Sequence, residues 1–175
     1  MSNYIKKLIA SYEQNILGKT YSFTFSNGES ITFAIRKKNV PHLLGIGKLP
    51  LRQTQGKFSM QIYNMLKSGS ITMELINRVP QNKEVIKKIL NFHCIIQILN
   101  EGDAVKVVKR IGSLKSDYLL YLDDRPNKIV HLGIAEDENG NWYPESLLIL
   151  NKRNIEKYID GQLPLTIVLR TIDSK

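Results

Sequence analysis

Cysteine is nearly absent: Cys94 is the one thiol in 175 residues, which excludes an internal disulfide and with it a stapled secreted scaffold. Its setting in NFHCIIQIL reads as a buried thiol. Long apolar runs are also lacking. No stretch approaches the roughly 18 apolar residues needed to cross a bilayer, and MSNYIKKLIASYEQ has neither the apolar core nor the small-residue cleavage site of a secretory leader. The expectation is a cytoplasmic protein with no membrane partner. Acidic residues are scarce in the first hundred positions, where 14 Lys and Arg face 4 Asp and Glu (+10), against 11 and 12 over residues 101–175 (−1). A positive field confined to one part of a chain gathers polyanions, so nucleic acid is the expected partner; a plain solubility charge is the alternative.

What is present reads as an α+β domain. Hydrophobic residues at 42% and charged residues at 23% are ordinary globular values, and the length suits a single domain over 1–175. The N-terminal segment 1–17 is an amphipathic helix, with Ile5, Leu8, Ile9, Tyr12 and Ile16 on one face and Gly18 as its stop. KTYSFTF and ESITFAIR alternate apolar and polar residues around Asn27-Gly28, the pattern of a β-hairpin. Residues 57–69 and ITMELINRV predict two helices, and residues 82–102 one long helix closed by Gly102. From residue 103 onward AVKVVKRI, YLLYLD, KIVHLGIAE, SLLIL and LTIVLR predict an antiparallel sheet, with a short helix in KRNIEKYIDG.

Candidate chemistry concentrates in a few places. In NVPHLLGIGKLP, residues 39–50, His42 stands where a Walker loop needs its first glycine and Leu49 where it needs Ser or Thr, so this is not a nucleotide loop. The histidines and Cys94 show no metal-ligand spacing, and no metal or cofactor is expected. His93 reads as a structural imidazole. His42 follows Pro41 and precedes glycines that allow close approach of a ligand to main-chain N–H groups; the alternative is a histidine bonded within a packed turn. Lys48 and Arg52, with Arg36, Lys37 and Lys38, are candidate phosphodiester contacts or plain surface charges. In KIVHLGIAE, alternation turns His131 away from Val130 and Leu132, toward a surface. Lys109, Ser146 and Arg170 are candidates for that same sheet face, and Trp142 or Tyr143 for stacking an unpaired base. Metal-free RNA cleavage needs a base, an acid and a cation at the phosphorane, and two histidines with these residues supply all three if they converge.

The order of PHLLGIGKL, a helical middle, YLLYLD, IVHLGIAE and WYPESLLILNKRNIEKYIDGQLPL resembles a phage- and mobile-element-associated nuclease family grouped with barnase, EndoU, colicin and RelE nucleases, the fourth phage family. The likeness covers residues 18–171. It implies helices packed on an antiparallel sheet and a metal-independent RNA-cleaving site on the sheet face, leaving a 2′,3′-cyclic phosphate. On this resemblance His131 acts as acid or base, His42 as its partner or a phosphate contact, Lys48 as a charge stabiliser and Ser146 as a hydrogen-bond donor. It also suggests a toxin or phage-defence effector, with a protein inhibitor or mobile-element protein as a further partner. A catalytically silent binding module stays open.

Overall fold

The computed structural model describes residues 4–123, 127–151, 153 and 156–174. The first helix, α1 (Tyr4–Asn15), buries Ile5, Ile9 and Tyr12. The predicted hairpin follows as β1 (Lys19–Phe25) and β2 (Ser30–Phe33), with Tyr21 opposite Phe33 and Phe23 opposite Ile31. Gly28 takes φ 84° at its turn, a conformation that costs glycine nothing. The next segment is helical. Pro41 occupies the first turn of α2 (Val40–Leu44), where its missing N–H and fixed φ are tolerated. Gly45 ends that helix at φ 73°, and a 3₁₀ turn over Ile46–Lys48 follows.

Helices α3 (Ser59–Ser68) and α4 (Met73–Asn77) lie where the periodicity predicts them. The long helix over 82–102 instead divides into α5 (Lys83–Asn91) and α6 (Cys94–Glu101). Asn91 marks the break: its side-chain amide donates to the Lys87 carbonyl at 2.8 Å, competing with the helix ladder. His93 is exposed at this break, and Cys94 is fully buried. Among the described residues no helix is long and apolar enough to cross a membrane.

The remaining strands are β3 (Asp103–Lys106), β4 (Tyr118–Leu122), β5 (Lys128–Glu136), β6 (Trp142–Asn151), β7 (Leu163–Leu165) and β8 (Ile167–Ser174). Two antiparallel sheets form instead of one. Their orders are β2-β1-β8 and β6-β5-β4-β3-β7. The chain changes sheet at Thr166, between β7 and β8, so Arg170 belongs to the hairpin's sheet and not to that of His131. The proposed helix in KRNIEKYIDG is a π-helical turn over Glu156–Asp160; Lys152, Asn154 and Ile155 lie outside the described residues, as does the Asp124–Pro126 part of the DDRPN turn.

One apolar core joins the helices to both sheets through residues such as Ile9, Phe23, Leu43, Ile98, Leu132 and Leu147. Each such side chain contributes about 1.5–3 kcal/mol by leaving water. The far face of the five-stranded sheet carries a smaller cluster of Val105, Ile111 and Leu119, covered by Leu114, Tyr158 and Ile159. Burial on both faces explains why β5 is buried from Ile129 to Ala135.

A polar staple also joins the sheets. Glu29, at the start of the β2 side of the hairpin turn, accepts hydrogen bonds from the Lys106 ammonium and, at 2.7 Å, the Tyr118 hydroxyl, while Phe25 stacks on Tyr118 with centroids 5.0 Å apart. The Lys106 bond, then those from Tyr118 and Asn27, hold the Glu29 carboxyl down at about 2. A depressed carboxyl stabilises the fold above its unfolded pKa, and that stability is lost as pH falls through the folded value. Denaturation by urea across pH 5 to 2 checks this: wild type is expected to lose stability relative to Glu29→Gln in that window, whereas parallel curves would remove the staple from the account.

Candidate functional site: a basic groove and the edge of β6

The residues that end β2 and enter α2 form one wall of a groove of about 1240 Å³. Arg36, Lys37 and Lys38 line it, with Lys19 from the start of β1, Met60 from α3, and Asp137, Asn141, Trp142 and Tyr143 from the β5–β6 hairpin. Among the described residues four cations face one carboxylate, and that carboxylate is occupied. Asp137 accepts from the backbone N–H groups of Asn139 and Asn141, each at 2.9 Å, bonds that hold its carboxyl below the usual range. Trp142 is pinned edge-on against Tyr118 at 5.3 Å, which fixes its indole at the groove's margin. Lys37 also reaches over the Tyr63 ring at 6.0 Å. The volume exceeds the roughly 300–1,000 Å³ of small-molecule pockets and suits a polymer. Of the substrate contacts read from sequence, Arg36, Lys38 and Tyr143 come together here.

The groove wall runs directly into α2, which packs on β6. Val40, Leu43 and Leu44 are fully buried on the packed side, so His42 projects outward and is exposed. Lys48 follows, also exposed. The Gly45 turn rests on α5: a Cβ built there would meet Val85 at 3.5 Å and the Lys88 stem at 3.9 Å. Lys88 is half-buried and makes no ion pair among the described residues. Burial, then the charge of Lys48, holds its ammonium below the ordinary lysine range, with Glu84 and Glu145 acting in the opposite direction.

Glu145 stands at an irregularity of the edge strand. Gly133 pairs with Ser146 and Ile134 with Pro144, so Glu145 is the extra residue of a bulge, a feature that re-aims side chains. Its carboxylate accepts from the Ser116 hydroxyl at 2.9 Å. Beside it Ser146 Oγ is buried with no partner among the described residues, held by the close approach of Gly133, where a Cβ would lie 2.4 Å from Ser146 Oγ and 2.2 Å from Ser116 Oγ.

His131 lies on the other face of the sheet from α2, as the alternation predicts, but it does not reach a surface. It is 1% exposed, with ring centroids 5.8 Å from Tyr121 and 5.9 Å from Tyr158, and neither ring nitrogen has a partner among the described residues. Desolvation pushes its pKa down to about 4, against a smaller opposing effect of Asp123. Val130 and Leu132, on the core side of β5, and Leu43 and Leu44 of α2 belong to the apolar layer between the two imidazoles. His42 and His131 therefore do not converge. The expected site separates into His42 with Lys48 on the helical side and His131 with Ser146 on the other.

The remaining candidates are dispersed. Arg52 is exposed in a 3₁₀ turn. Lys109 lies in the loop after β3, its backbone held by the Gln162 amide. Arg170 donates to the Gly102 carbonyl at 2.6 Å and sits over Phe23. Sequence reasoning did not single out Lys88 or Glu145. Lys88 looks like any lysine of an amphipathic helix, and Glu145, inside YPESLLIL, is re-aimed by a bulge that alternation does not reveal. Among the described residues no three His, Cys, Asp or Glu side chains gather as a metal would require.

Helices packed on antiparallel sheets, with a cationic groove beside an edge strand, make an α+β domain whose surface suits a polyanion. The family model for phage-Barnase-EndoU-ColicinE5/D-RelE like nuclease 4 matches residues 4–174, and the chain belongs to that family. No curated protein and no solved structure matches.

The buried, neutral His131 has a measurable consequence. Between pH 6.5 and 4 the unfolded chain binds a proton at this residue that the folded chain refuses, so stability declines as pH falls through that window, by about 3 kcal/mol at most. His131→Leu is expected to be neutral or up to about 1 kcal/mol more stable at pH 7, because it removes unsatisfied buried polar atoms. Its stability should then fall less than that of wild type on acidification to pH 4. Calorimetry across that range checks it; a variant losing several kcal/mol at pH 7 would show that His131 is held by partners.

Proposed function

We propose that this domain is a metal-independent endoribonuclease that seats a single RNA strand in the groove. The 2′-hydroxyl attacks the adjacent phosphorus, the 5′ oxygen leaves, and a 2′,3′-cyclic phosphate remains. The observation that carries the reading is the groove itself, with Lys19, Arg36, Lys37 and Lys38 beside Trp142 and Tyr143. Cations spaced along a channel follow a phosphodiester backbone, and aromatic faces stack unpaired bases. A strand leaving the groove along the 36–39 wall meets His42 one helical turn on and then Lys48. His42 is a phosphate contact in this reading, Lys48 stabilises developing negative charge, and His131, sealed beneath Tyr158, takes no part. The family's phage association supports an effector that attacks cellular RNA, as a toxin or in phage defence.

The separation of the two imidazoles favours a second reading, a groove that binds nucleic acid without cutting it. Incubating an unstructured oligoribonucleotide with purified protein in EDTA distinguishes the two. Wild type is expected to bind and cleave it, with affinity falling steeply as salt rises. The triple variant Arg36→Ala, Lys37→Ala, Lys38→Ala should bind weakly and reduce the salt slope by about 2, since each phosphate contact on a single strand contributes about 0.7. Salt-dependent binding that leaves the RNA intact would establish the silent module, and a triple variant equal to wild type in affinity would remove the groove from both readings.

A further inference from the structure

The groove has a main-chain side as well as a charged one. Phe25 and Glu29 bracket the hairpin turn, and the Phe25 N–H donates to the Glu29 carbonyl at 2.9 Å. Bonded and non-bonded pairs alternate along an antiparallel ladder, so Phe23 with Ile31 and Tyr21 with Phe33 exchange the bonds between β1 and β2. The N–H and C=O groups of Thr32 and Ala34 therefore point away from β1. No described strand lies on that side, because β2 ends the order β2-β1-β8. Thr32, Phe33, Ala34 and Ile35 line the groove instead, and Arg36 is itself still extended, at φ −88° and ψ 160°. An open sheet edge is normally guarded by charge, proline or a bulge. The other edge strands carry such guards: Pro144 and the bulge at Glu145 in β6, Pro164 in β7, Arg170 and Asp173 in β8. The SITF of β2 contains neither a proline nor a charge, and it opens into a cavity.

We propose that this edge receives an extended, acidic segment of a partner protein, which adds a strand to β2 and fills the groove. Pairing with the main chain of Thr32 and Ala34 supplies the attachment, the mode by which peptides extend an exposed sheet. Charge supplies the selection. Lys19, Arg36, Lys37 and Lys38 are the groove's cations among the described residues, and the last three lie just past the end of β2. Carboxylates at one end of the added strand meet them there, and apolar side chains of the same strand find Trp142 and the exposed Met60 on the walls. A cationic segment is rejected by the same charges. A phosphodiester strand is drawn by those cations too, but it has no alternating N–H and C=O row to match the edge. The segment takes the space assigned above to RNA, so each excludes the other and the partner regulates the domain by occlusion. That exclusion rests on the RNA reading, whereas the strand site does not.

Two measurements on the full chain test the assignment. The probe is a short synthetic peptide of three glutamates and alternating threonine and valine, made with the glutamates at either end. Two N-methylated forms of it carry methyl groups on alternate amides, one set on each edge of the peptide strand. In the first measurement amide hydrogen exchange is followed by NMR. The parent peptide should slow exchange at Thr32 and Ala34 at least 10-fold, which hexaglutamate should not do. One methylated form should bind within a few-fold of the parent and the other at least 10-fold more weakly, because a single edge of the peptide pairs with β2. Equal affinities of the two forms, or unchanged exchange at both amides, would overturn the proposal and leave only attraction of charge. In the second measurement the peptide competes with a labelled oligoribonucleotide, which it should displace. Protection of Thr32 and Ala34 with RNA still bound would overturn the groove as the RNA site and leave the strand site standing. RNA held through Arg36, Lys37 and Lys38, with no protection from the peptide, would overturn the strand site and leave the groove.

Discussion

The packing of α2 on β6 is the constraint from which the rest of the arrangement follows. Val40, Leu43 and Leu44 are wholly excluded from water and share the main core with Leu147 and Ile149 of the strand. Replacing any of these leucines by alanine removes about 2–5 kcal/mol, so the contact is not free to drift. It fixes the direction in which the chain leaves the hairpin, and so sets Arg36, Lys37 and Lys38 along the groove wall. It also fixes what lies outside: a buried face on five residues of helix leaves His42 one direction only, away from the sheet. The PHLLGIGKL and YPESLLI blocks, far apart in sequence, become neighbours through this one interface.

The two faces of the five-stranded sheet then have different chemistry. On the helical side the charged residues stand at the margin of a large core, where cations keep contact with water and remain available to a polyanion. On the far side a small cluster encloses His131, Tyr121 and Tyr158. An imidazole in that setting stays neutral at physiological pH because no partner among the described residues compensates its desolvation. At the edge of this far side the β6 bulge sets Glu145 against the Ser116 hydroxyl. The N-terminal excess of positive charge is likewise given a place, since the groove's four cations among the described residues all come from residues 19–38.

Local chemistry made much of the fold legible. The hairpin was readable because alternation and Asn-Gly act over a dozen residues, and the register Tyr21 to Phe33 is what those signals require. Helices α1 and α3 were readable from apolar spacing closed by glycine. The single helix over 82–102 failed at Asn91, where one side chain competing for a carbonyl outweighs a continuous apolar pattern. The site was harder to read because it depends on contacts distant in sequence. Alternation gave the facing of His131 correctly, yet exposure depends on Leu114, Tyr158 and Ile159 covering the far face, which no local rule conveys. Arg170 was placed with the wrong sheet because the chain crosses between sheets within one residue, at Thr166.

The central claim of the proposed function is that RNA is bound in the groove on the helical side of the sheet, and not on the His131 face. Mapping a short unstructured oligoribonucleotide onto the protein by NMR tests it most directly. The account predicts shifts at the Trp142 indole N–H and at the amides of Lys37, Lys38 and Lys48, with Tyr121, His131 and Tyr158 unmoved. Shifts centred on those last three residues, with the groove silent, would contradict it.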